Sequence, residues 1–434
     1  MNDAIVKVYN KIFDNDIVRN ISLTLLLFFA GLIYSRQHLV MLNIPFIDKI
    51  IIVIFGVLFL INIIVVIINH FHSMRSFYEM NRYWIPLLAI ILIKYFILFS
   101  QLLYSLVINR EYYDGQIFRI IMDYPIYSHI KNVIKFIINF AMIFILTERI
   151  NNFSKLNLSI NAFGFGCVSA PIIGLLFFSD LIGKRIINVN GVYFSGSFWN
   201  ASVIAFISSA WLLIGNLHNK KNKLMKLINI FMAIIMFIGG IAGLSRAIVV
   251  SGFISILIYL ICLKDIKKLF KIVVIVIIVI LIVQFQFGFI LENFKTRLER
   301  KGKIWNDGRI DIWKDYIEDI QSFFILGEPI EGNKIFSKTG QGPHSVLLNW
   351  WSQFGIFAAI AFIWLMWGIL KSASNIYNNL SIEQGAAVYA WLFAYLSLAM
   401  INETGYRELP FYTAIGIIFA WGNLATNKLI MLKE

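Results

Sequence analysis

An all-α, polytopic transmembrane bundle of about twelve spans is the fold class this sequence predicts. Three observations carry that expectation. Charged residues make up 14% of the chain and mean hydropathy is +0.77, whereas soluble domains carry about 25% charged residues. Apolar runs near the roughly 20 residues a bilayer crossing needs recur from end to end; Ile50–Ile68, Trp84–Ile108, Ile272–Phe289 and Leu347–Leu370 are examples. Those runs are unbroken Ile, Leu, Phe and Val, not the short alternating segments of a membrane β-barrel.

Taken in order, the first residues do not read as a cleaved leader. Asn2–Asn20 mixes Lys7, Lys11 and Arg19 with Asp3, Asp14 and Asp16 and lacks a short apolar core followed by small residues. The first span starts near Ile21, and the span centres fall near residues 28, 59, 96, 140, 171, 207, 236, 255, 281, 358, 394 and 418. Cys167 and Cys262 both sit inside apolar runs, too few for a disulfide framework.

The net charge of +14 is partly the cytoplasmic Lys and Arg of the positive-inside bias. The clearest basic runs are Lys220, Lys221, Lys223 and Lys226 after span six, and Lys264, Lys267, Lys268 and Lys271 after span eight. Both therefore lie on one side, which is cytoplasmic by that bias, as are both termini. The longest polar segment, residues 291–343 between spans nine and ten, then lies outside as a periplasmic loop capping a single integral domain, 1–434. It opens with Lys295, Arg297, Arg300, Lys301 and Lys303. In Arg309–Phe324 the apolar positions Ile310, Ile312, Trp313, Tyr316, Ile317 and Ile320 fit an amphipathic helix, ended by Gly327 and Pro329. Outside the membrane nothing is large enough to be a nucleic-acid-binding domain.

Three residues on this expected outer side carry the candidate chemistry. Arg246 follows Gly239, Gly240, Ala242 and Gly243 at a turn with no room for a loop, so it is held at the rim of the bundle. There it is either an interfacial anchor or an anion clamp. Arg309, after Asp307-Gly308, begins the amphipathic helix. Free backbone N–H groups, the helix dipole and a bidentate guanidinium all favour an anion there, the alternative being a pair with Asp307 or Asp311. His344 follows Gly340-Gln341-Gly342-Pro343 and opens the tenth helix. A neutral imidazole at a helix N-terminus is the form a general base needs, although a polar boundary marker is the commoner fate of such a residue.

Elsewhere, Lys94 lies within span three. Arg407 either adds positive charge near the site or, more simply, pairs with Glu403 and Glu408. Asp14-Asn15-Asp16 has the Asp-x-Asp form of metal-dependent sugar transferases but precedes the first span on the inner side and reads as a solvated cap. No His/Cys/Asp cluster with metal-ligand spacing lies on the outer side, and the chain has neither a phosphate-binding Gly-rich loop nor a Gly-x-Ser-x-Gly elbow. No metal or other cofactor is expected.

Leu244-Ser245-Arg246-Ala247, Gly308-Arg309 with Trp313, and His344 with Asn349 and Gly355-Ile356 together resemble the superfamily of O-antigen polymerases and O-antigen ligases. These are bacterial membrane enzymes acting on undecaprenyl-diphosphate-linked glycans at the periplasmic face of the inner membrane. The layout of the whole chain is similar, and the motifs fall between Gly239 and Leu370. The resemblance implies that Arg246 and Arg309 hold the donor diphosphate and that His344 activates the acceptor hydroxyl, with Arg407, Trp313 and Asn349 in support. In that family the histidine is often followed by Asn; here Ser345 follows. It further implies a glycosyltransferase that takes a lipid-linked oligosaccharide and works beside a chain-length regulator. The acceptor stays open: a lipid-linked repeat unit makes the protein a polymerase, the favoured reading, and lipid A core makes it a ligase. A lipid-linked oligosaccharide flippase is the alternative of another class, against which stand the absence of an inverted repeat and the gathering of the distinctive charges at one rim.

Overall fold

A computed structural model of the chain describes residues 16–33, 35, 39, 46–70, 82–108, 126–178, 186–189, 192–195, 199–219, 223–242, 246–264, 309–327, 343, 345–401 and 407–431. Its long helices are α1 (Asp16–Leu32), α2 (Ile47–His70), α3 (Ile85–Ile108), α4 (Ile126–Arg149) and α5 (Phe153–Phe177). Next comes α6, which runs through Asn200–Ala205, a π-helical turn at Phe206–Ala210, and Trp211–Gly215. After it come α7 (Lys223–Ala242), α8 (Arg246–Leu263), the short α9 (Arg309–Glu318), α10 (Ile320–Phe323) and α11 (Val346–Phe354), and then α12 (Ile356–Asn379), α13 (Ile382–Ile401) and α14 (Leu409–Met431). Eleven of the expected span centres fall on these helices; the one near residue 281 lies outside the described residues. Among the described residues six helices are long and apolar enough to cross a membrane, and four more apolar stretches are shorter. The chain is a multi-pass, membrane-embedded helical bundle. One addition to the all-helical expectation is an antiparallel hairpin, β1 (Ile186–Val189) with β2 (Val192–Ser195), in the connection between α5 and α6.

Apolar side chains are spent on two surfaces. Val53, Val57, Leu60 and Ile64 on α2 and Phe357, Ile360, Ile363, Trp364 and Trp367 on α12 face outward at helical spacing, as lipid-facing residues do. By contrast α13 lies at the centre: Ala386, Ala387, Ala390 and Ala394 are wholly buried, and Trp391 stacks on Tyr395 and Phe411. Small residues set the closest approaches. A Cβ at Gly31 would meet the backbone of Phe163 and Cys167, and one at Gly239 would meet Pro171 and Ser202.

Helix directions follow from which residues meet. Ser35 meets Ser169, and Gly31 the 163–167 backbone, so α1 and α5 are parallel. Phe140 meets Tyr412 and Leu146 meets Gly416, so α4 and α14 are parallel; Ser372 meets Gly422 and Asn375 bonds Thr426, so α12 shares their direction. Tyr395 against Phe411 and Ala387 beside Trp421 across Gly215 make α13 antiparallel to α14. The packing alternates as successive spans demand. One end of the bundle gathers Arg149 on the Arg19 carbonyl and Cys262 under Tyr377, and the basic runs at Lys223 and Lys264 begin there. The opposite end gathers Arg246, α9, α11 and Arg407.

The tenth span departs from expectation. Leu347–Leu370 is not one helix: Gly355, at φ 83° and ψ 176°, divides it into α11 and α12. That backbone region is essentially reserved for glycine. The amphipathic segment also breaks earlier than Gly327, at Asp319 between α9 and α10, so its apolar residues divide. Ile312, Tyr316 and Phe323 are buried with Ile320 and Trp351, whereas Ile317 is 58% exposed.

Candidate functional site

Both arginines stand where a helix begins. Arg246 is the first residue of α8 and Arg309 the first of α9, where unpaired backbone N–H groups favour anions. The side chains of these two arginines, and the whole of His344, lie outside the described residues. The residues flanking His344 are described. Ser345 caps α11 in an extended conformation (φ −139°, ψ 128°), its Oγ accepting from Leu348 N at 3.5 Å. It thus takes a capping role at the position where the resembling family often has Asn. Ahead of the histidine, Trp313 Nε1 donates to the Pro343 carbonyl at 2.6 Å. That bond ties the second turn of α9 to the residue just before His344, so the N-terminal halves of α9 and α11 are brought to one place.

A backbone clasp holds this arrangement down. Gly327 (φ 70°) and Gly355 (φ 83°) face each other's chain. A Cβ at Gly327 would meet the backbone of Gln353 and Phe354, and one at Gly355 the backbone of Ile325 and Leu326. Across the clasp Ile356 N donates to the Phe324 carbonyl at 2.8 Å, and Trp351 Nε1 to the same oxygen at 3.3 Å. Lys94, in the middle of α3, donates from Nζ to the Gly327 carbonyl at 2.8 Å. A lysine this far from either helix end needs an oxygen partner, and the turn supplies one. Phe324, Ile325 and Leu326 are exposed beside the outward stripe of α12, so this segment seats in the bundle rather than floating above it.

Beneath the start of α11 runs a buried polar ladder. Asn349 and Gln353, one turn apart, are 0% and 5% exposed. Gln353 Nε2 donates to Asn349 Oδ1 at 3.0 Å, and Arg407 Nη2 donates to Gln353 Oε1 at 2.6 Å. Arg407 is itself located from three sides. Glu408 Oε2 accepts from its amide at 2.9 Å, Asn139 Nδ2 donates to its carbonyl at 3.1 Å, and its guanidinium lies 6.0 Å from the Phe136 ring centre. Glu403 is outside the described residues. Phe136 in turn packs on Trp350 and Phe354. The structure therefore joins Arg407 and Asn349 through Gln353, a residue whose place inside an apolar run gave no sequence signal beyond being a glutamine one turn from Asn349. Lys94 and the two glycines were legible only as residue types; their partners are distant in sequence.

Comparison with known proteins adds one finding. Residues 231–363 match the family described as O-antigen ligase. The matched stretch starts inside α7, ends inside α12, and includes positions 246, 309 and 344. A search of curated proteins returned no match. That matched stretch, on a multi-pass helical bundle, supports the resemblance to the O-antigen ligase/polymerase superfamily.

Proposed function

We propose that this protein is a glycan polymerase of the O-antigen type, transferring an undecaprenyl-diphosphate-linked chain onto a hydroxyl of a second lipid-linked repeat unit. The observation that carries glycan transfer, the part of the reading that polymerase and ligase share, is the family match over 231–363, which spans the three candidate residues. The Trp313–Pro343 bond, which brings the N-terminal halves of α9 and α11 together, supports it. His344 takes the proton of the acceptor hydroxyl as its oxygen attacks the anomeric carbon of the donor. The bond from that carbon to the diphosphate breaks, and Arg246 and Arg309 stabilise the charge left on undecaprenyl diphosphate. Because the arginines offset that charge, the reaction is metal-independent. By the positive-inside bias the end bearing Lys223 and Lys264 is cytoplasmic, which puts this site on the periplasmic side of the bacterial inner membrane. A chain-length regulator is the partner the reading calls for.

The family's description favours a second reading, a ligase that delivers the finished glycan to lipid A core. One assay separates the two. Purified protein is given lipid-linked repeat units alone, with excess chelator, and the products are resolved on a gel. A ladder of lengths that vanishes in His344→Ala supports the polymerase; no ladder, but transfer once lipid A core is added, makes it a ligase. No transfer in either case returns the flippase, and activity that needs added magnesium overturns the metal-free chemistry.

A further inference from the structure

Just before α3, a cation stands on the lipid-facing side of the bundle. Residues 82–84 form a turn into α3, whose second residue is Pro86. Trp84 is buried and stacks on Phe140. Tyr83 fills the space over Gly368 of α12, where any Cβ would collide with its ring, and it lies 5.4 Å from the Trp364 ring. These two aromatic wedges fix where Arg82 stands. Trp364 Nε1 donates to the Arg82 carbonyl at 3.1 Å, Arg82 Nη2 donates to the Tyr83 hydroxyl at 3.0 Å, and the guanidinium lies 4.9 Å from the Tyr83 ring centre. Arg82 is nevertheless exposed, against the outward stripe of Phe357, Ile360, Ile363, Trp364 and Trp367. An arginine beside lipid either reaches water or meets an anion. Drawn back onto Tyr83, this one leaves its other N–H donors without a partner among the described residues.

Lys371 completes the arrangement. It lies one turn past Gly368 on the face of α12 that carries Trp364, and it is exposed. Among the described residues neither cation has an acidic partner. Beyond Lys371 the helix turns polar, with Ser372, Ser374, Asn375 and Asn378 toward the end that bears Lys223 and Lys264. From Ile360 to Lys371 the helix rises about 16 Å at roughly 1.5 Å per residue, near half of the roughly 30 Å hydrocarbon core. Exposed indoles such as Trp364 and Trp367 belong at the headgroup boundary. The apolar stripe thus leads away in one direction from a polar end that holds two positive charges.

We propose that Arg82 and Lys371 form a headgroup site for one anionic phospholipid in the leaflet on the basic side, its phosphate held by both cations and an acyl chain lying along Trp367, Ile363 and Ile360. The guanidinium offers a planar fork for phosphate oxygens and the ammonium a second point charge. Cationic pockets between helices on that side are where anionic headgroups bind. The apolar stripe selects a lipid over a free phosphate, which has no tail to lay on it. Both residues lie outside the matched stretch 231–363, so the inference stands apart from the glycan reading.

Native mass spectrometry of the full-length protein, purified in detergent, gives the apparent Kd of the first lipid bound. The probes are phosphatidylglycerol and zwitterionic phosphatidylcholine with identical acyl chains, with inorganic phosphate as a competitor. Arg82→Gln and Lys371→Gln are each expected to weaken phosphatidylglycerol about fivefold, and together about twentyfold, while phosphatidylcholine changes by less than about twofold. Lys223→Gln, at the basic end but on another helix, should leave phosphatidylglycerol at the parent value. Should Arg82→Gln fold poorly, Lys371→Gln decides, because that side chain makes no hydrogen bond among the described residues. Equal affinity of the parent for the two lipids overturns the inference, as does parent-like phosphatidylglycerol binding by Lys371→Gln. An equal loss in Lys223→Gln also overturns it, since a diffuse basic field would then account for the binding. Displacement of phosphatidylglycerol by inorganic phosphate overturns the lipid assignment and makes this a free-anion site.

Discussion

Two clusters of amide side chains sit at opposite ends of this bundle, and they are built differently. Toward the end that bears Lys223, Asn161 of α5 accepts from Asn216 at 3.3 Å and from Asn229 of α7 at 3.4 Å. All three are neutral, the bonds are long, and α5 and α7 pass through without a break. Toward the other end, Asn349, Gln353 and Arg407 are joined by bonds of 3.0 and 2.6 Å that end on a charge. The two amides of that row lie on a nine-residue helix bounded by a capping serine and a glycine at positive φ. Irregular backbone at membrane depth is tolerated where protein buries it or where it lines a cavity. The first cluster is what helix–helix adhesion requires; the second holds a broken span in one geometry, and a site needs that.

Substitutions at the candidate chemistry should separate the ends most sharply. Replacing His344 by Ala, or Arg309 by Ala, should lower chain extension by a factor on the order of 10²–10⁴ while the amount of protein in the membrane is unchanged. Polymer lengths on a gel and a membrane immunoblot measure the two quantities, and normal lengths in either variant remove that residue from the mechanism.

The clasp comes next in size. Gly355→Ala and Gly327→Ala each place a Cβ into the facing backbone at a φ that alanine avoids, which should cost about 2–4 kcal/mol of local stability. Extension should fall about tenfold or more as α9 loses its seat on α11. Alanine at Gly56, where a Cβ meets nothing within 4 Å, is the control and should leave extension as it is. Equal behaviour at all three positions would mean that the clasp has no bearing on the reaction.

Trp313→Phe tests the narrower link. It keeps an aromatic ring but loses the bond to the Pro343 carbonyl, worth about 1 kcal/mol. Extension should drop severalfold with the unfolding midpoint within a degree or two of the parent. A parent rate would show that the start of α11 is held without Trp313.

These effects also mark what could be read before folding. Unbroken apolar runs made the spans legible, because crossing a bilayer constrains length and composition directly. Alternating direction and the grouping of Lys223 with Lys264 followed from the same pattern. Arg246 and Arg309 were legible as helix starts because Gly-rich and Asp-Gly turns precede them. The break at Gly355 was not: Leu347–Leu370 is apolar on both sides of it, and what bends the chain is the turn at Ile325–Gly327, well upstream in sequence. Gln353 was equally silent, since its partner Arg407 arrives from the connection between α13 and α14. Local pattern reveals where a chain enters the membrane; contacts between distant segments decide what it builds there.

The smallest effect is the one that tests the comparison itself. Asn229 is fully buried and bonds both Asn161 and the Leu213 carbonyl, so by burial alone it looks as consequential as Gln353. Interhelical polar contacts of this kind contribute about 0.6 kcal/mol in membrane bundles. Asn229→Ala should therefore lower the unfolding midpoint slightly and leave extension at the parent value. If instead it lowered extension as much as Gly355→Ala, the two ends would be serving one rigid body, and the charge on Arg407 would not be what distinguishes them. If extension holds while only the midpoint moves, adhesion and site geometry are carried by separate residues at separate ends.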